Sequence, residues 1–129
     1  MSDLSATQNT YPYQNEPTWS RSEKVIARKV FDAALKRELE EIMREAKQMA
    51  RQIKEPADMW ELERFLTHCR KDIDRKYDSR ASRLMWVLAT LSCERRIRDE
   101  DLHGLGKDKL KAIRSSAKIL AEYAAWPGF

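Results

Sequence analysis

Two histidines and two cysteines are the side chains of this sequence best suited to nucleophilic or acid–base chemistry: His68, His103, Cys69 and Cys93. A nucleophile needs a base within hydrogen-bond reach. His68 and Cys69 are neighbours in the sequence, so on a helix they point about 100° apart and cannot face each other. The pattern favours a surface histidine beside a core cysteine, and we predict that the protein is not an enzyme.

Metal and cofactor sites are not indicated either. A zinc site needs about four closely placed ligands, whereas the cysteines and histidines are scattered without paired spacing. Cysteines in apolar helical patterns without CxxC spacing predict a reduced, buried pair. The carboxylates of Glu38, Glu40 and Glu41 lie among basic residues and are interpreted as a solvated face. We therefore predict no metal and no cofactor.

Trp60 is the side chain whose type and position best indicate a binding role. At 100° per residue it lies about 150° from the centre of the apolar stripe of its helix. Arg64, Thr67 and Lys71 share its outward side, and an aromatic anchor among charges is typical of a protein-binding hot spot. Packing of Trp60 under the long first helix or across a dimer interface is an equally weighted alternative, because Trp serves both roles.

The composition predicts that helices position these residues. Only 3 Gly and 4 Pro occur in 129 residues, and 36% of the residues are charged, which favours an all-α fold. No apolar run approaches the roughly 18 residues of a membrane span. The polar start lacks the basic and apolar regions of a secretory signal, so we expect a cytoplasmic protein. A net charge of +4 is too small to demand a nucleic-acid partner.

A long first helix is predicted between Ser20 and Pro56. Ser20 and Glu23 have the spacing of a capping box, and no glycine or proline interrupts the segment before Pro56. The apolar positions form a heptad seam: Leu35, Leu39, Ile42, Ala46, Met49 and Ile53. Such a seam requires a partner helix, and we predict a homodimer. We predict that residues 1–19 form a disordered or loosely docked tail, whose aromatic residues Tyr11, Tyr13 and Trp19 can dock onto the fold.

The remaining sequence predicts three more helical segments. A cap signal at Asp58 and Glu61 begins a second helix, which packs on the first through an apolar stripe of Met59, Leu62, Leu66, Cys69, Ile73 and Tyr77. The segment from Leu84 to Leu91 is apolar on nearly every face, as in the centre of a bundle. After Gly104, a last amphipathic helix carries Leu110, Ile113, Ala117, Leu120 and Ala124. We expect one helical domain, 20–129, with a long-helix stalk (20–76) and a small helical head (77–129).

A weak nucleic-acid pattern lies in the last helix. A short acidic turn, a glycine and a helix with Lys107, Lys109, Lys111 and Arg114 imitate a helix-turn-helix. The start of that helix lacks the cluster of Asn, Gln and Arg that would contact bases. DNA binding is therefore the weakest of the functional alternatives.

Two segments of the second helix resemble the cyanobacterial fluorescence recovery protein family: MWELERFL from Met59 and RKDIDRKYD from Arg70. The resemblance covers most of the chain after residue 20. It implies an all-helical dimer that binds the photoactivated orange carotenoid protein and speeds its return to the resting orange form. Such a protein ends non-photochemical quenching, which would place it near the phycobilisomes.

The resemblance also implies a partner-contact surface. Trp60 and Arg70 match residues of the contact patch in that family, and Trp86 matches an aromatic position of the head that is also linked to partner contact. Glu63 and Arg64 stand where the cyanobacterial proteins commonly have His and Asp. A reversed charge at Arg64 is costly in a desolvated contact. Either the partner supplies an acidic group there, or this homologue acts on a different protein partner.

Overall fold

The computed structural model describes residues 18–125, and within that range the chain is helical with no strand. Its helices are α1 (Arg21–Arg51), α2 (Pro56–Lys76), α3 (Leu84–Cys93) and α4 (Lys107–Ala125), with 3-10 turns at Ala81–Arg83 and Asp99–Leu102. The all-α fold class is confirmed. The predicted tail, apart from its last two residues, and the predicted helix stop at Pro127 lie outside the described residues. None of the described helices is both long enough and apolar enough to cross a membrane.

The capping box predicted at the start of α1 is confirmed. The Ser20 hydroxyl accepts a hydrogen bond from the backbone N–H of Glu23 at 3.1 Å, and the Glu23 carboxylate accepts one from the backbone N–H of Ser20 at 2.9 Å. The helix then continues for 31 residues. At 1.5 Å per residue it is about 46 Å long, which makes it the longest of the described helices.

The start of α2 differs from the prediction, which placed the cap at Asp58. The helix begins at Pro56, with Glu55 as its N-cap residue. Proline fits the first helical position because its missing N–H needs no partner there. Asp58 acts from inside the first turn, where its carboxylate accepts hydrogen bonds from the backbone N–H groups of Lys54 at 3.0 Å and Glu55 at 3.1 Å.

The core lies between the first half of α1, α3 and α4. Leu88, Leu91, Leu102 and Ile113 are its largest fully buried side chains, which confirms that the apolar segment of α3 occupies the centre. On α1, the contributing residues are Ala27, Val30, Phe31 and Ala34. The first half of α1, which belongs to the predicted stalk, thus shares the core of the predicted head. The division at residue 77 stays a prediction.

The second half of α1 and most of α2 pack against each other with incomplete cover. No residue of α2 is buried. Several large apolar side chains of the predicted seam and stripe remain at least 38% exposed in the single chain: Leu39, Ile53, Met59 and Leu66, with Met43 beside them. The seam is therefore only partly covered by the chain's own second helix.

Candidate protein-binding surface

Trp60 stands on the outward side of α2 with 55% of its surface exposed. The prediction that Trp60 lies off the core face is confirmed, and packing under α1 of the same chain is contradicted by this exposure. Burial across a dimer interface is untested. An exposed indole of this size offers a partner a large apolar contact with one hydrogen-bond donor.

Glu63 and Arg64 lie one turn after Trp60 and are both exposed. Residues three and four apart share a helix face, so the structure brings these three side chains together. The Glu63 carboxylate accepts a hydrogen bond from the Thr67 hydroxyl at 2.8 Å. This bond holds Glu63 along the helix surface and leaves Arg64 as the cation beside the indole.

Arg70 lies seven residues after Glu63, two turns farther along the same side of α2. Its side chain is 85% exposed, and its guanidinium lies 4.0 Å from the carboxylate of Asp74. At 1.5 Å per residue Arg70 is about 15 Å from Trp60 along the helix. We call Trp60, Glu63, Arg64 and Arg70 the α2 patch.

Trp86 lies on α3, apart from the α2 patch. It is half-buried on α3 and lines a cleft with Arg75, Lys76, Asp78, Arg83, Val87, Thr90 and Glu94. This cleft adjoins the end of α2, about 24 Å along the helix axis from Trp60. Within one chain, the structure does not bring Trp86 into the α2 patch.

A buried ion network fixes the end of α2 against α1 and α3. Glu38, predicted on a solvated face, is only 8% exposed, which corrects that prediction. Its carboxylate lies 2.7 Å from the ammonium of Lys76 and 3.2 Å from the guanidinium of Arg96, and it accepts a 2.8 Å hydrogen bond from the Tyr77 hydroxyl. Glu94 lies 2.8 Å from the same ammonium. Burial and the Glu38 carboxylate together raise the pKa of Tyr77, so its hydroxyl stays protonated.

The spacing of core residues on α1 was the signal for Glu38 that the sequence reasoning missed. Phe31 and Ala34 precede Glu38 by seven and four residues, which places Glu38 on the buried side of the helix. A carboxylate at such a position needs charged partners, because burying an unpaired charge is costly. The network positions the α2 patch relative to the core.

A second network joins the start of α1 to the start of α4. Lys109, predicted as a basic residue of a helix-turn-helix surface, is 6% exposed and lies 3.1 Å from Glu23 and 3.0 Å from Asp108. The Glu23 carboxylate also accepts a hydrogen bond from the backbone N–H of Gly106 at 2.8 Å. Lys109 is therefore a structural ion-pair partner, which removes one of the four cations from the DNA-binding hypothesis.

The candidate nucleophiles and bases are separated as the sequence predicts. His68 is exposed and lies 3.3 Å from the Asp72 carboxylate, whereas Cys69 is half-buried on the next position. Burial, Asp72 and Glu38 raise the pKa of the Cys69 thiol, which lowers its reactivity. Both cysteines are free, but the prediction that they are buried is wrong, because each is only partly buried.

No group of three or more metal-binding side chains forms among residues 18–125. Several acidic residues of that range are instead engaged in ion pairs with Lys and Arg, as Asp72 is with Arg75 at 2.7 Å. The surface offers charged and aromatic contacts to a partner.

Known proteins identify the class of protein to which this chain belongs. Residues 19–117 match the family described as "Photoprotection regulator fluorescence recovery protein". The chain is thus one of the all-helical photoprotection regulators. It belongs to the fluorescence recovery protein family, which confirms the resemblance of its second helix.

Individual relatives agree with this assignment. The chain is 36% identical to the fluorescence recovery protein of Synechocystis sp. over 104 residues, which are 81% of this chain and 95% of the relative. The solved structure of the Fremyella diplosiphon fluorescence recovery protein superposes with a TM-score of 0.75 at 37% identity, covering 78% of this chain and 99% of that one. The Synechocystis structure gives a TM-score of 0.74 at 36% identity with the same coverage.

Proposed function

We propose that this protein is a non-enzymatic regulator that binds the photoactivated orange carotenoid protein and accelerates its return to the resting form, thereby ending non-photochemical quenching. Membership of a family of photoprotection regulators supports a role in photoprotection. The proposed partner contact is inferred chiefly from Trp60, which is 55% exposed on the outward side of α2. The proposed contact residues are the α2 patch and, at a separate point of the surface, Trp86.

The proposed mechanism is a population shift. A partner with two conformations moves toward the one that the regulator binds more tightly, or crosses its return barrier faster while bound. Such a mechanism uses contact surface alone and needs no covalent step. The ion network around Glu38 supports this by holding α2, and with it the patch, in one orientation.

We further infer that the working form is a homodimer in the cytoplasm near the phycobilisomes. Met43 is 54% exposed and Leu66 is 43% exposed, so both helices of the α1–α2 pair leave apolar surface uncovered. A second copy can cover that surface by pairing along the heptad seam.

The second candidate function is that of a helical interaction module for a different protein partner, and Arg64 favours it. Arg64 is exposed beside Trp60 and carries a positive charge where an acidic residue is common in the family. A partner surface adapted to an acid would repel this guanidinium. A different partner with an acidic group opposite Arg64 would be attracted instead.

Recovery of the orange carotenoid protein in darkness tests the proposal. Photoactivated orange carotenoid protein is mixed with the wild-type chain, and the loss of red absorbance is followed. We expect acceleration by the wild type, and Trp60→Ala and Arg70→Ala should each weaken the effective affinity about tenfold or more, as hot-spot truncations do.

Two matched substitutions control for nonspecific effects. Val25→Ala removes an apolar side chain that is 63% exposed on α1, and Arg98→Ala removes a guanidinium whose side chain is 76% exposed. Both should leave recovery at the wild-type rate. Unchanged recovery at excess wild-type protein would reject the carotenoid-protein partner and favour the second candidate.

A further inference from the structure

An apolar stripe near the end of α4 is uncovered within residues 18–125. Ile119 is 48% exposed and Tyr123 is 76% exposed. The two residues are four apart, so their side chains lie one turn apart on the same side of the helix. Exposed apolar neighbours of this kind mark a contact surface. We call this pair the α4 stripe.

The α4 stripe lies beyond the part of the chain that matches the family. The match covers residues 19–117, whereas α4 continues to Ala125. The N-terminal segment, residues 1–17, also lies outside the match. The stripe and residues 1–17 are thus two parts of the same chain that the family model leaves unmatched.

The N-terminal segment enters the structure beside the first turn of α4. Trp19 packs against the core. The Glu23 carboxylate accepts hydrogen bonds from the backbone N–H groups of both Ser20, at 2.9 Å, and Gly106, at 2.8 Å. The same carboxylate thus binds Ser20, two residues after Thr18, and Gly106, the residue before α4.

Distances along the chain match distances along α4. From Gly106, Ile119 and Tyr123 lie about 20 and 26 Å along the helix axis at 1.5 Å per residue. From Thr18, Tyr13 and Tyr11 lie about 17 and 24 Å away when the chain is extended. In an extended chain, residues two apart point to the same side and are about 7 Å apart, close to the 6 Å rise of one helical turn.

Opposite charges on the N-terminal segment and on α4 favour the same arrangement. Lys107 and Lys111 are exposed on the first turns of α4, and Glu16 stands two residues before Thr18 in the sequence. A chain that ran from Thr18 along α4 would bring the Glu16 carboxylate near the ammonium groups of Lys107 and Lys111. The attraction is modest at a solvated surface, but it favours one direction of approach.

We propose that the N-terminal segment docks along α4 of the same chain, with Tyr11 and Tyr13 covering Ile119 and Tyr123. The contact is intramolecular, so even a weak interaction is populated at the high effective concentration that a short tether provides. Docking shields the last turns of α4 from solvent. This contact is independent of the partner proposed above, and its failure would leave that proposal untouched.

Hydrogen exchange of the full chain tests the docking. The backbone amides of residues 118–125 are compared between the wild type and the double variant Tyr11→Ser with Tyr13→Ser. We expect these amides to exchange about threefold faster or more in the variant, because helix ends open more readily without tertiary contacts. Amides in the middle of α1 should exchange at the same rate in both proteins.

Matched variants separate the docking from general effects. Gln14→Ser with Asn15→Ser changes the same segment without removing an aromatic ring and should leave exchange at wild-type rates. The reciprocal variant, Ile119→Ser with Tyr123→Ser, changes exposed side chains and should speed exchange of residues 9–15. Equal exchange in the wild type and the Tyr11→Ser, Tyr13→Ser variant would overturn the proposal. Protection that rises with protein concentration would also overturn it, because a second copy would then be the occupant.

Discussion

Glu23 shows how one side chain can join two helices. Its carboxylate caps α1 through Ser20, accepts the backbone N–H of Gly106 and pairs with Lys109 at 3.1 Å. The Ser20 and Gly106 donors, followed by Lys109, lower the pKa of Glu23 from 4.5 to about 2. All three contacts are strongest with the ionised carboxylate.

This shift predicts an acid-dependent loss of stability. Because the pKa in the folded state is below 4.5, the carboxylate contributes stability that is full above 4.5 and is lost as the pH falls toward about 2. Urea unfolding midpoints should therefore drop between about pH 5 and about pH 3 in the wild type. Glu23→Gln should begin less stable and lose less over the same interval. An equal drop in both proteins would show that other carboxylates carry the effect.

Replacing the buried carboxylate of Glu38 should cost more stability than replacing an exposed one on the same helix. Glu38→Ala leaves the charges of Lys76 and Arg96, and the hydroxyl of Tyr77, without their shared acceptor. Breaking a buried ion pair in this way should lower the free energy of unfolding by about 3 kcal/mol. Glu40→Ala, at an exposed position of the same helix, should change it by less than about 0.5 kcal/mol. Both are measured by urea unfolding at one protein concentration, and equal effects would contradict the role of the network.

At the scale of elements, the end of α3 holds a non-glycine residue in the left-handed region. Arg95 has φ 60°, the backbone N–H of Arg96 bonds to the carbonyl of Leu91 at 2.8 Å, and that of Arg95 bonds to the carbonyl of Ser92 at 3.0 Å. These two bonds form a Schellman motif, in which glycine is the usual residue at the position of Arg95.

Arg95→Gly should therefore stabilise the protein. Removing the side chain relieves a conformational cost of about 1 kcal/mol, and the two backbone hydrogen bonds remain. The free energy of unfolding, from urea denaturation, should rise by that order. Arg95→Ala keeps a Cβ atom at the same φ and should give no comparable gain; a gain equal to that of glycine would point to removal of the charge instead.

At the scale of the whole molecule, the proposed dimer rests on the exposed apolar surface of the α1–α2 pair. Its exposed apolar side chains include Leu39 at 40% and Met43 at 54%. If a second copy covers them, Met43→Glu places a charge in the interface and should shift the mass measured by light scattering from about twice 15.2 kDa to 15.2 kDa. Val25→Glu, at an apolar position 63% exposed near the start of α1, should leave the mass unchanged. A single-chain mass for the wild type would refute the dimer.

The sequence predicted the elements well, because their signals are local. The capping box at Ser20, the uninterrupted segment before Pro56 and the uniformly apolar segment after Leu84 each depend on neighbours within a few residues. The outward position of Trp60 followed from helical periodicity alone. Its assignment to a contact surface stays a prediction, which rests on the charges around it and on the family resemblance, since periodicity cannot name a partner.

The tertiary structure decided which charged residues are buried. Glu38 and Lys109 were predicted on solvated surfaces, yet their partners Lys76 and Glu23 stand 38 and 86 residues away in the sequence. Sequence patterns carry no information on such pairings, because the partners meet only when the helices pack. The start of α2 also moved to Pro56, since Asp58 caps from within the turn. What the sequence by itself determined is therefore the set of helices and the outward face of Trp60. Packing alone determined the ion networks that orient that face, because burial of a charge depends on groups distant in the chain.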